Sequence, residues 1–205
     1  MAKLYFRYGA MNSGKTTSLM QVAHNYEERG MRVLVAKPGI DTKGGVRIVS
    51  RLGVSRQVDL VVAPATDLAA AVAADLAAHG PLACILVDES QFLRRAQVDQ
   101  LFALTVSPGI PVIAFGLRTD FLTNGFEGST RLLELAHSIE EMKTICACGR
   151  KALFNARKIN GRFVFAGDQV AIEDGGAVEY ESLCADCYFA QRRAYFAGLP
   201  AEGTT

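Results

Sequence analysis

Few segments constrain a fold as tightly as Gly9-Ala10-Met11-Asn12-Ser13-Gly14-Lys15-Thr16. Glycine, four residues, then Gly-Lys-Thr is the phosphate-loop pattern, and it functions only between a strand and a helix. Its glycines let the backbone wrap closely around a polyphosphate. Bared N–H groups and the start of the next helix supply positive potential. Lys15 would reach the β- and γ-phosphates, and the Thr16 hydroxyl would hold Mg²⁺. The flanks agree with this reading. Leu4 to Tyr8 reads as a strand rich in aromatics. Thr17 to Arg29 carries apolar residues at Leu19, Met20, Val22, Ala23 and Tyr26, and Gly30 sits where a helix would end.

The same alternation continues to about residue 143. Arg32 to Lys37 is an apolar run stopped by Pro38-Gly39, and Val58 to Ala63 is stopped by Pro64. Thr66 to Ala78 is Ala-rich, with Asp67 near its start and Gly80 past its end, which predicts a helix. Leu82 to Val87 reads as a buried strand, Gln97 to Leu104 as a helix and Pro111 to Phe115 as a strand. Continuous apolar strands alternating with helices imply a parallel sheet covered on both faces. Residues 38–57 and 117–130, rich in glycine and polar residues, read as a long loop and a flexible stretch. From about residue 144 the strands become short and turn-rich. The expectation is an α/β phosphate-loop domain over 1–143, a small metal-bearing domain over 144–193 and a flexible tail over 194–205.

The apolar run Ala83-Cys84-Ile85-Leu86-Val87 ends in Asp88-Glu89. Ligands collect at the carboxyl ends of strands in a parallel sheet, so Asp88 would face the Mg²⁺ held by Thr16. Glu89 suits a general base if the phosphate acceptor is an alcohol, because the hydroxyl proton must leave as the O–P bond forms. Cys146-Ala147-Cys148 and Cys184-Ala185-Asp186-Cys187 offer four thiolates in two close pairs, a set that suits a structural, tetrahedral Zn²⁺. Two disulfides are the alternative. A unit that small would owe its fold to the metal rather than to a core. Cys84 reads as an inert buried thiol. Phe92, Phe115, Phe121, Phe126 and Tyr180 gather near the expected pocket, with Phe115 best read as core. His24, His79 and His137 read as surface or helix-end residues.

Composition narrows the class. With 205 residues the chain can bury a sizeable core, and its 22 basic against 21 acidic residues argue against a strongly basic nucleic-acid binder. No apolar stretch reaches the roughly 20 residues that span a bilayer. The N-terminus does not read as a signal peptide, so a cytoplasmic enzyme without membrane association is expected.

Taken together, the phosphate loop, Asp88-Glu89-Ser90-Gln91-Phe92 and Phe115-Gly116-Leu117-Arg118-Thr119-Asp120-Phe121 resemble the zinc-containing thymidine kinases. Thr144 to Ala152, with its one-residue cysteine spacer, looks like the bacterial branch of that family. The resemblance runs from residue 3 to about 190. It implies ATP, Mg²⁺ and structural Zn²⁺ as cofactors and transfer of the γ-phosphoryl group to the 5′-hydroxyl of thymidine. It implies Glu89 as the base, with Gln91 in the same nucleotide-contacting segment. Arg51 matches an arginine near the phosphates. Met11, Phe92, Leu117, Phe121, Phe126 and Tyr180 match the nucleoside site. A loop over the base, homotetrameric assembly and inhibition by thymidine triphosphate are further implications. One departure is visible: Ile172 is followed by Glu173-Asp174 before Gly175-Gly176, which looks like a two-residue insertion in that loop. Two other readings are a RecA-like ATPase acting on nucleic acid and a nucleotide-gated interaction protein. The charge balance opposes the first. The acidic pair beside an intact phosphate loop opposes the second.

Overall fold

The computed structural model describes residues 1–39, 47–50, 53–169 and 177–198. The chain divides into two compact units. The first comprises Met1–Tyr8, Gly14–Leu117 and Phe126–Glu141. The second comprises Gly9–Ser13, Arg118–Gly125 and the chain from Met142 onward.

In the first unit the order is β1 (Leu4–Tyr8), α1 (Lys15–Glu27), β2 (Val33–Pro38), β3 (Arg47–Val49), β4 (Ser55–Gln57), β5 (Leu60–Val62), α2 (Leu68–His79) and β6 (Cys84–Val87). A short 3₁₀ turn (Ser90–Phe92), α3 (Arg95–Val106), β7 (Val112–Gly116), α4 (Glu127–Leu135) and β8 (Ser138–Glu141) follow. Six strands form one sheet in the order β5-β2-β6-β7-β1-β8, with every neighbouring pair parallel. Side chains alternate across a strand, and the sheet uses both sides. Leu4 and Phe6, Leu34 and Ala36, Ile85 and Val87, and Val112 and Ala114 join a core with Leu68 and Val72 of α2, Val98, Leu101 and Leu104 of α3, and Leu132 of α4. The intervening residues Val33, Val35, Cys84, Leu86 and Phe115 are buried as well. Helix α1 meets the sheet at β2 and β7 and buries Leu19, Met20 and Ala23. Burial on both faces is why these strands lack polar alternation.

Local signals set the ends. The Asp67 carboxylate accepts from the Ala70 N–H at 3.0 Å and caps α2, and Gly80 closes it. A cap of this kind is worth about 1 kcal/mol. Two expectations need correction. Within 38–57, β3 and β4 form an antiparallel hairpin, so the described part is not an irregular loop. Within 117–130, Asp120 accepts from the Leu122 and Asn124 N–H groups, Thr119 bridges Gly125, and α4 begins at Glu127. That stretch is a built turn. His137 is exposed just past the end of α4, as expected, and there its Nδ1 accepts from the Leu4 N–H at 3.0 Å and its ring stacks on Phe102.

The second unit adds β9 (Thr144–Ile145), β10 (Lys151–Ala152), β11 (Phe154–Ile159), β12 (Arg162–Val164), β13 (Val178–Leu183) and α5 (Ala185–Ala197). β11 lies between β12 and β13 in an antiparallel sheet, and β9 pairs with β10. Helix α5 continues beyond residue 194. This unit has a core of its own, contrary to the expectation from its size. Ala152, Ala156, Phe165, Leu183 and Tyr188 are buried together with Cys146 and Cys184, and Phe154 and Phe163 pack against them.

Candidate active site

The phosphate loop is divided between the units, with Gly9–Ser13 in the second and Gly14–Thr16 in the first. Two glycines serve it for different reasons. Gly14 has φ 77° and caps α1, and a Cβ there would meet nothing within 4 Å, so its demand is conformational. At Gly9 a Cβ would lie 2.4 Å from the Met142 carbonyl oxygen and from Ser13 Oγ, so its demand is room. Asn12 also takes a left-handed conformation, at φ 63°. Within the second unit, Met11 is bracketed by Asn155 and Ser182, while the Thr144 hydroxyl donates to the Asn12 carbonyl at 3.3 Å.

In the first unit, Lys15 and Thr16 open α1. The Thr16 hydroxyl donates to Asp88 at 3.2 Å to Oδ2 and 3.5 Å to Oδ1. Asp88 follows the last residue of β6, and its backbone N–H donates to the Ala36 carbonyl of the neighbouring strand. Only 4% of it is exposed. Burial pushes its carboxyl up to about 7, the Glu89 charge adds to the rise, and the Thr16 hydroxyl and Lys15 oppose it. Glu89 has φ 48°, a strained value for a residue with a side chain. That backbone turn separates it from Asp88. Gln91, 2% exposed, donates from Nε2 to Glu89 Oε2 at 2.5 Å and accepts the Leu117 N–H on Oε1 at 3.1 Å. The amide of Gln91 thus fixes one carboxylate and one backbone position at once.

The aromatic candidates separate by unit. Phe92 and Phe126 of the first unit meet edge to face at 5.5 Å, and Leu117 is buried. Phe115 is core, as expected. In the second unit Phe121 is buried under the Arg157 guanidinium, 3.7 Å from its ring centroid, and its carbonyl accepts from the Tyr188 hydroxyl at 2.7 Å. Tyr180 is half-buried on β13, opposite Arg157 on β11. Arg51 and the insertion around Glu173-Asp174 lie outside the described residues.

The four late cysteines come together: Cys146, Cys148, Cys184 and Cys187 have sulfurs all within 4.8 Å of one another. All carry free thiols, so the disulfide alternative falls. A tetrahedral Zn²⁺ with Zn–S bonds of about 2.3 Å places sulfurs about 3.8 Å apart, which this cluster fits. Cys146 and Cys148 lie on the turn between β9 and β10, where the Gly149 N–H returns to the Cys146 carbonyl at 2.8 Å. Cys184 caps α5 and Cys187 lies in its first turn, where the helix dipole favours thiolates. Cys84 is a separate, fully buried thiol pushed up to about 12 by burial.

Sequence reasoning missed Asn155, Ser182, Asp120 and Arg157. Asn155, Ser182 and Arg157 act on residues distant in sequence, which no local pattern marks. Asp120, followed by an Asn-Gly pair, did carry an available turn signal.

A parallel α/β sheet, a phosphate loop before the first helix, and an acidic pair at the end of a central strand define a phosphate-loop α/β protein. The family model for thymidine kinase matches residues 2–188. The thymidine kinase of Chromobacterium violaceum is 46% identical over 192 residues, covering 92% of this chain and 98% of that protein. That of Idiomarina loihiensis is 48% identical, covering 90% of this chain and 94% of that protein. That of Xanthomonas campestris pv. campestris is 49% identical, covering 89% and 87%. The chain belongs to the thymidine kinase family and is accordingly a kinase.

Proposed function

We propose that the chain transfers the γ-phosphoryl group of ATP to the 5′-hydroxyl of thymidine, giving thymidine monophosphate and ADP. The observation that carries the chemistry is the grouping of Lys15, Thr16, Asp88, Glu89 and Gln91 in one unit, at the carboxyl end of β6 and the start of α1. Family membership carries the choice of nucleoside.

In this reading Gly9, Ala10, Met11, Asn12, Ser13, Gly14, Lys15 and Thr16 form the nucleotide loop, with Lys15 neutralising charge on the β- and γ-phosphates. A buried carboxylate whose charge is disfavoured, beside a hydroxyl at 3.2 Å, fits a divalent cation. Thr16 and Asp88 are therefore the residues assigned to Mg²⁺, which when bound neutralises developing phosphate charge. Glu89 accepts the 5′-hydroxyl proton as the new O–P bond forms and the bond to the ADP oxygen breaks. Gln91 holds Glu89 by one carboxylate oxygen, which leaves the other for that proton. Phe92, Leu117 and Phe126 are assigned to the nucleoside from the first unit. Met11, Phe121 and Tyr180 carry the same assignment on resemblance. Cys146, Cys148, Cys184 and Cys187 are assigned to a structural Zn²⁺, which contributes to folding and not to the reaction.

The same resemblance supports cytoplasmic location, homotetrameric assembly and inhibition by thymidine triphosphate. Among the described residues, no helix is long and apolar enough to cross a membrane. Near-zero net charge supports a small-molecule partner over nucleic acid.

The test is ADP release measured with Mg²⁺-ATP against a panel of nucleosides and single-stranded DNA. Turnover should depend on thymidine, and Glu89→Gln should lower kcat by about a hundredfold or more with ATP affinity near wild type. ATP turnover stimulated by DNA and indifferent to thymidine would overturn the reading.

A further inference from the structure

Met11 is held by its peptide groups. Its N–H donates to Asn155 Oδ1 at 2.7 Å, and its carbonyl accepts from the Ser182 hydroxyl at 2.5 Å. Asn155 on β11 and Ser182 on β13 are directly opposed in the antiparallel register. Both are buried. Two side chains on one strand pair thus offer an acceptor and a donor to a single residue, much as a neighbouring strand would offer its backbone. The Thr144 hydroxyl adds a bond to the next carbonyl, of Asn12, and Gly9 lies against the Met142 carbonyl. All these residues belong to the second unit.

The consequence concerns the nucleotide. A loop bounded by Gly9 and Gly14 gains no rigidity from its own sequence, because glycine leaves the backbone many conformations to lose. A phosphate cradle works best when its N–H groups are already aimed before the ligand arrives. Here the Met11 N–H is committed to Asn155, so it is withheld from phosphate and its peptide plane is fixed. The backbone then turns through the left-handed conformations of Asn12 and Gly14 into α1. An unclamped Met11 would let the amides that follow it wander.

We propose that Asn155 and Ser182 are positioning residues for the nucleoside triphosphate, fixing the peptide groups of Met11 so that the Asn12 and Ser13 amides of the same unit are aimed before the ligand arrives. This rests on the nucleotide-binding reading of the loop given above. Neither side chain needs to touch the ligand. Their effect passes through backbone atoms of a residue 144 and 171 positions away in sequence.

Binding of a non-hydrolysable ATP analogue with Mg²⁺ tests the proposal in wild type, Ser182→Ala, Ser182→Thr and Asn155→Ala. Amide exchange of the Gly9–Ser13 segment is followed in the ligand-free chains. Ser182→Ala and Asn155→Ala should each bind the analogue about five- to tenfold more weakly, the effect of one lost hydrogen bond passed on to the loop. KM for ATP should rise by more than kcat falls, and exchange at Gly9–Ser13 should accelerate. Ser182→Thr keeps the hydroxyl and should bind within about twofold of wild type, which separates the hydrogen bond from mere packing. If Asn155→Ala does not fold, the Ser182 pair decides alone. Wild-type binding by Ser182→Ala overturns the clamp, and so does an equal loss in Ser182→Thr. A wild-type chain that binds no nucleotide overturns the site reading and this proposal with it.

Discussion

At the scale of single residues, the site trades stability for charge placement. Asp88 is buried at the end of an apolar strand, and its carboxyl is pushed up to about 7. An unfolded aspartate titrates near 4. Between about pH 4 and 7 the folded chain therefore holds a proton that the unfolded chain has released, and stability falls as pH rises through that window. The contribution is fully present below about pH 4 and lost above about 7. Asp88→Asn removes the ionisation while leaving an oxygen for the Thr16 hydroxyl. The ligand-free variant should melt higher than wild type at pH 8, with the advantage shrinking towards pH 4, yet its Mg²⁺-dependent turnover should fall by about a hundredfold or more. Melting scans across pH decide this, and a variant less stable than wild type at pH 8 would count against it. Gln91 joins a carboxylate to a backbone amide across two strand ends. Its type gave only the weak hint of lying beside an acidic pair, whereas its two partners, Glu89 and the Leu117 N–H, became evident only with the strands in place.

At the scale of elements, legibility followed the range of the forces involved. Helix α2 was readable because Asp67 and Gly80 terminate it locally, and β6 because four consecutive buried residues need no partner to be recognised as apolar. Hairpin β3–β4 was not, since Arg47–Val49 and Ser55–Gln57 carry charges and lie in a glycine-rich stretch. The core of the second unit was hidden for a related reason. Phe154, Phe163, Phe165 and Tyr188 lie on three short elements and one connecting segment, and only the antiparallel register of β11 with β12 and β13 brings them together. That core changes what metal removal should do. Chelation should speed amide exchange in β9, β10 and the first turn of α5, where the thiols lie, while β11 and β13 keep much of their protection. Hydrogen exchange with and without chelator reads this directly. Complete loss of protection throughout β11 and β13 would show that the metal, not the apolar cluster, holds the unit.

At the scale of the whole molecule, the chain does not lay down one unit and then the next. Gly9–Ser13 and Arg118–Gly125 cluster with residues that follow Met142, though each lies within the span of the sheet-bearing unit. A sequence reader sees a boundary near residue 143 because composition changes there, and composition does not record which earlier loops are borrowed. Removing everything after Glu141 would strip Phe121 of the Arg157 guanidinium and the Tyr188 hydroxyl, and Met11 of both its partners. Such a truncated chain should bind a hydrophobic dye and no ATP analogue, as dye fluorescence and calorimetry would show. A truncation that bound nucleotide like the full chain would refute this. The bracketed loop residue has one more consequence, in time rather than space. Met11 is translated before Asn155 and Ser182, which follow it by 144 and 171 positions. If the clamp holds as proposed, a nascent chain carries its phosphate-loop motif unclamped until both late residues have emerged, and the loop is set only after β13 has been made.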